Sequence, residues 1–199
     1  MKRHYSGLNV IGGALIILAG WAALSLIVDR AILPPPWEVA PVFADEIRGD
    51  LGAHTLISAG RVLAATALAV IGAVPAGLAL GQIRALDRWL GPVIALLHPI
   101  PKIAFLPVIL LLAGAGDASK ILLIALILFF QILVVVRDEA AGLSPELIAS
   151  VRSLGAGRRA LFRFVYIPAS IPAVLTALRV GVGTAVAVLF IAETYATRS

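Results

Sequence analysis

The amino-acid sequence predicts an all-α fold, a polytopic transmembrane helical bundle with about five spans, and three observations predict it. Hydrophobic residues make up 61% of the chain and charged residues 14%, with a mean hydropathy of +1.04. Long uncharged runs recur along it, and the basic residues between them fall in alternate loops. A water-soluble domain of this composition would leave far more apolar surface than it could bury.

A helix needs about 20 apolar residues to cross hydrocarbon about 30 Å thick. Five segments come close to or exceed that length: Leu8 to Val28, Leu56 to Ile83, Gly91 to Ala113, Lys120 to Val136 and Ile171 to Ala192. The first is too long for a signal-peptide core, and no small-x-small cleavage site follows it. The second carries Arg61 near its start and Pro75 inside, and the third is interrupted by Pro99, Pro101 and Pro107. Such breaks survive in a membrane where protein or a wet cavity satisfies the freed backbone groups. The third segment is therefore expected to face protein or a pathway.

The stretch from Leu33 to Asp50 is rich in proline and acid, which reads as an aqueous loop with room for a short surface helix. Lys2 and Arg3, Arg84 and Arg88, and then Arg137, Arg152, Arg158, Arg159 and Arg163 mark alternate loops as cytoplasmic. The expected topology has a cytoplasmic N-terminus and outward loops at 33–50 and 114–119. A net charge of +5 does not point to nucleic acid, because hydrophobic runs interrupt the basic residues and leave no continuous stripe. There are no cysteines for disulfides or thiolate sites, and His4, His54 and His98 lack metal-ligand spacing, so no metal site is expected.

The most informative segment is 144–168, too polar to span and too patterned to be a plain linker. Ser144 can cap a helix, Pro145 fits its first position and Glu146 suits the positive end of its dipole. Leu147, Ile148, Val151 and Leu154 share a face. Gly155 can end the helix in a left-handed conformation, and a basic helical stretch with Arg158, Arg159 and Arg163 leads to Pro168. Two short helices hinged at glycine are expected.

This segment resembles the signature loop of binding-protein-dependent ABC importer permeases. The matching register is Ala149, Ser150, Val151, then Gly155, then Val165, Tyr166, Ile167, Pro168, with Ala149 where the family has glutamate. A literal Glu139-Ala140-Ala141 has Pro145 where its glycine should stand, so it is a decoy. The resemblance covers nearly the whole chain and is closest to the nitrate, sulfonate and taurine branch. It rests on Leu33-Pro34-Pro35-Pro36, Ser58 to Arg61, Pro99-Ile100-Pro101-Lys102, Phe105-Leu106-Pro107, Gly114-Ala115-Gly116, Ser153-Leu154-Gly155-Ala156 and Ala192-Glu193.

The resemblance implies a single permease domain over 1–199 of the type I importer kind, in a bacterial inner membrane, with a further span expected beyond Ser199. It implies a homodimer, an external solute-binding protein and cytoplasmic ATPase subunits that hold ATP and magnesium, since no cofactor is expected in this chain. The phosphate-loop lookalike Gly114 to Lys120 has Ser119 in place of the second glycine and Ile121 where Ser or Thr must meet magnesium. The segment 144–168 would be the coupling helix. Leu147, Ile148, Val151 and Leu154 would give packing, Arg152, Arg158 and Arg159 polar contacts and Gly155 the bend, with Ala149, Ala156 and Pro168 completing the motif. The alternative for the same segment is an amphipathic helix on anionic headgroups.

Ionisable and polar residues within spans are the candidates for a solute pathway, since a charge in hydrocarbon needs protein or water beside it. They are Lys102, Gln131, Arg179 and Glu193. Snorkelling or pairing within the bundle is the competing role for Lys102, helix pairing for Arg61 and Arg179, and interhelical hydrogen bonding for Gln131. Lys102, Arg61 and Arg179, three cations against the one acid Glu193, lean toward an anionic solute, such as a sulfonate or nitrate. No nucleophile with its base, paired acids or metal ligands at membrane depth suggests an intramembrane enzyme. A passive channel would explain the spans but not the hinged segment.

Overall fold

The computed structural model describes residues 7–28 and 32–196, so Lys2 and Arg3, on which part of the expected topology rests, and His4 lie outside the described residues. All regular structure among the described residues is helical. The chain forms two compact units, Met1–Leu56 and Ile57–Ser199.

In the first unit, α1 (Gly7–Val28) exposes apolar side chains nearly all round and buries only Ser25. That is the surface of a helix meant to meet lipid or another chain rather than water. The proline run then ends any helix, and Pro36 opens α2 (Pro36–Arg48) at a position where its missing N–H is not needed. The indole N–H of Trp21 donates to the Pro34 carbonyl at 3.1 Å, tying the turn to α1. The surface helix expected in this loop is present.

The long α3 (Leu51–Gln82) begins five residues before the expected span and continues through Pro75 without a break. It is followed by α4 (Arg84–Leu97), a 3-10 turn (Lys102–Phe105) and α5 (Leu106–Ala113). The two arms meet at 82°. The break falls at Pro99 and Pro101, as expected, whereas Pro107 lies in the first turn of α5, where a missing N–H is tolerated. Next come α6 (Asp117–Ala141), α7 (Pro145–Ser153), α8 (Arg158–Leu161), a π turn (Phe162–Tyr166) and α9 (Ile167–Ala196). Among the described residues, four helical stretches are long and apolar enough to cross a membrane, and the bent pair makes five if it counts as one broken span.

The core of the second unit is built around α6, whose Leu123, Ile124, Leu128, Ile132 and Val136 are at most 1% exposed. Small residues let its neighbours approach. Ala65, Ala69 and Ala73 on α3 are buried to within 1%, and a Cβ at Gly77 would stand 2.9 Å from the Leu133 carbonyl oxygen. One at Gly81 would stand 2.5 Å from the Arg137 carbonyl oxygen and 2.6 Å from the Ala140 Cβ. On α9, a Cβ at Gly181 would meet Leu128 at 2.7 Å. In lipid there is no hydrophobic drive between helices, so close backbone packing of this kind supplies the association energy. The Gln82 amide adds a hydrogen bond to the Ala140 carbonyl, and Arg137 pairs with Asp87 of α4 at 2.6 Å.

Gly81→Val is expected to force α3 from α6 and lower stability by about 1–3 kcal/mol, read as a lower unfolding temperature in detergent. Gly60→Ala, where nothing lies within 4 Å of the added Cβ, is expected to leave that temperature unchanged or slightly raised. Equal effects of the two would remove the close-approach explanation.

Candidate functional site

The polar segment after α6 folds as its sequence dictates. The Gly142 N–H closes α6 onto the Asp138 and Glu139 carbonyls at 3.0 and 3.2 Å. Ser144 then caps α7, its hydroxyl accepting from the Leu147 N–H at 3.2 Å. Pro145 takes the first helical position and Glu146 the first turn. At the other end, Gly155 has φ +84°, a conformation an L side chain adopts only at a cost. The hinge expected there is present.

The second helix differs from the expectation of two short helices. From Arg158 it runs through α8, the π turn and α9 as one 38-residue stretch to Tyr195. The change of register has a local cause: Ile167 donates to the Phe162 carbonyl, five residues back, immediately before Pro168, which has no N–H to offer. A π turn at that point moves the hydrogen-bond ladder around the missing donor.

No residue of α7 is buried. Leu147 is 45% exposed and Leu154 85%, Ala149 is exposed, and Ile148, Val151 and Ala156 are half-buried. The four apolar residues therefore do not form one uniformly covered stripe: Leu147 and Leu154 stand free, and Ile148 and Val151 lean toward the protein. Arg159 and Pro168 are exposed. Arg152 and Arg158 line a cavity of about 710 Å³ together with Arg84, Gln82 and Tyr166. α7 thus has one end attached to α6 through a capped turn and the other to α9 through Gly155.

The spanning candidates do not share a set of partners. The Lys102 ammonium donates to the Leu97 carbonyl at 2.9 Å and to the His98 carbonyl, and lies 4.6 Å from the centre of the Phe130 ring. It braces the bend by donating to two carbonyls where Pro99 and Pro101 offer no N–H, although the Leu97 carbonyl also accepts from the Ile100 N–H at 3.2 Å. Gln131 is half-buried on α6, its side-chain oxygen 3.5 Å from where a Cβ on Gly181 would stand. Arg179 is exposed on α9, with no ion pair among the described residues.

Glu193 belongs to a cluster that joins three helices. Arg61 of α3 reaches Asp117 of α6 at 2.6 Å and Glu193 of α9 at 2.6 Å, and the Ser58 hydroxyl donates to the same Glu193 oxygen at 3.2 Å. Sequence reasoning missed Asp117 and Ser58 as partners. They stand 56 and 135 positions from the residues they meet, beyond any helical periodicity. The cluster also alters the charge argument, because two carboxylates neutralise Arg61 and remove it from the cations available to an anionic solute.

Residues 61–199 match the family described as the binding-protein-dependent transport system inner membrane component. The chain is 33% identical to the taurine transport system permease protein TauC of Escherichia coli, over 92% of this chain and 70% of that one. It is 35% identical to the riboflavin transport system permease protein RibX of Chloroflexus aurantiacus, over 96% and 69%. It is 28% identical, over 96% and 71%, to the Bacillus subtilis protein that carries the name aliphatic sulfonates transport permease protein SsuC. With its apolar helices and glycine-hinged segment, the chain belongs to this family of inner-membrane components, as a multi-pass ABC importer permease of the taurine and sulfonate branch.

Proposed function

We propose that the permease moves a small organic sulfonate or a related anion, received from an external binding protein, and that α7 is the coupling helix seated on a cytoplasmic ATPase. The observation that carries the coupling reading is α7 itself: a capped helix with no buried residue, held at Gly155 by a positive φ. A helix of nine residues is too short to be stable on its own. Leu147 and Leu154, left in water, favour a protein groove that covers them.

The mechanics follow from the attachments. α7 joins the ends of α6 and α9, two helices packed along each other. ATP and magnesium belong to the partner subunits, whose closure would displace α7 and rotate α9 against α6. The exposed side of α1 suits a second permease copy, and the basic hinge faces the cytoplasm by the positive-inside rule. By the same rule, Lys2 and Arg3 favour a cytoplasmic N-terminus. The names of TauC and SsuC support a sulfonate, whereas that of RibX supports a larger neutral solute; the solute bound by the cognate binding protein decides between them.

Gly155→Val is expected to cut uptake by at least tenfold in reconstituted vesicles and to abolish stimulation of the ATPase by loaded binding protein, since a β-branched residue resists the left-handed turn by about 1–2 kcal/mol. Gly157→Ala, at φ −75°, should retain both activities. Full coupling in the Gly155 variant would end the assignment.

Lys102→Met keeps length and apolar bulk while removing the donors that close the bend. We expect a lower unfolding temperature together with lower uptake, and recovery of both in Lys102→Arg. An unchanged unfolding temperature with a raised KM for an anionic solute would place the ammonium on the solute instead.

A further inference from the structure

The cavity beside the hinge is lined by three arginines that come from three different helices. Arg84 comes from the start of α4, Arg152 from α7 and Arg158 from α8, and the lining contains no carboxylate. None of the three arginines has an ion pair or hydrogen bond to another side chain among the described residues, unlike Arg48, Arg61 and Arg137, which each meet an acid. Three guanidinium groups around one cavity, with no acid among them, make it a favourable place for an anion. The floor is apolar: Leu78 and Leu161, each 2% exposed, lie beside Phe162. A volume of about 710 Å³ is in the range of small-molecule sites.

We propose that this cavity binds a phosphate group, and that its source is the headgroup of an anionic phospholipid. Guanidinium groups match phosphate oxygens in paired hydrogen bonds, and the Tyr166 hydroxyl can donate a further one. The apolar floor suits the glycerol and first methylenes of an acyl chain, which a free anion lacks. The cavity also lies where the apolar span of α3 ends at Gln82 and the basic start of α4 follows, the level at which headgroups are expected. This inference leaves α7 as the coupling helix but takes Arg152 and Arg158 away from the ATPase contacts that the resemblance implies for them. It divides the segment, with Leu147 and Leu154 free for a protein partner and Arg152 and Arg158 turned to the cavity.

The permease with its ATPase, extracted from membranes containing phosphatidylglycerol and phosphatidylcholine, is examined by native mass spectrometry. The expected result is retention of one phosphatidylglycerol per permease chain, reduced at least tenfold by Arg84→Gln and by Arg158→Gln but not by Arg48→Gln. A second arm adds inorganic phosphate to the complex in detergent without anionic lipid. A rise in unfolding temperature that needs Arg84, without selective retention of phosphatidylglycerol, would identify the free anion as the source. Equal retention of the two lipids by the unaltered complex, with no phosphate effect that depends on Arg84, would overturn the site. Arg84 is exposed and unpaired among the described residues, so its replacement is not expected to prevent folding.

Discussion

The close approach of backbones to α6 is the constraint on which the second unit depends. Gly77 and Gly81 bring α3 against it, and Gly181 brings α9, at distances where a methyl group would already collide. Inside a membrane, burial of apolar side chains brings little net gain over contact with lipid, so affinity between helices must come from fit and from polar groups that satisfy each other. The Gln82 hydrogen bond to α6 and the Arg137–Asp87 pair stand at one end of this packing, and the Arg61 cluster involves the other end of α6.

That rigidity gives the unburied helix its meaning. A segment that packed fully against its own chain could not respond to another protein without breaking those contacts. α7 is the opposite case, fixed at two ends and covered on neither Leu147 nor Leu154. Because α8 continues without a break into α9, a displacement at the hinge, in the coupling proposed above, would act on a long lever rather than on a loop that would absorb it. The π turn before Pro168 serves the same end, since it preserves helical continuity where proline would otherwise interrupt the ladder.

What could be read from the sequence was local. Ser144, Pro145, Glu146 and Gly155 each act on backbone groups within a few residues, so their roles as cap, first turn, dipole partner and left-handed hinge were legible from spacing alone. The break at Pro99 and Pro101 was legible for the same reason. Long-range partnerships were not. Nothing near Arg61 announces Asp117 or Glu193. The Lys102 contacts are local, but a lysine beside a break can equally reach lipid, solute or its own carbonyls, and spacing does not choose among them. Continuity of α8 with α9 was also hidden, because proline usually signals an end and the register shift that accommodates it leaves no compositional mark.

The positions of the polar residues limit how the solute could be held. Lys102 has its donors on the Leu97 and His98 carbonyls, Gln131 sits against α9, and Glu193 is engaged with Arg61 and Ser58. A strong preformed anion site would instead need several donors converging on one space. A permease that grips its cargo weakly can still be selective if an external protein chooses what arrives, and weak binding avoids a trap between the two open states. The same reasoning explains how similar chains can carry names as different as taurine and riboflavin: the helical frame and the hinge are shared mechanics, whereas recognition can change elsewhere without disturbing α6.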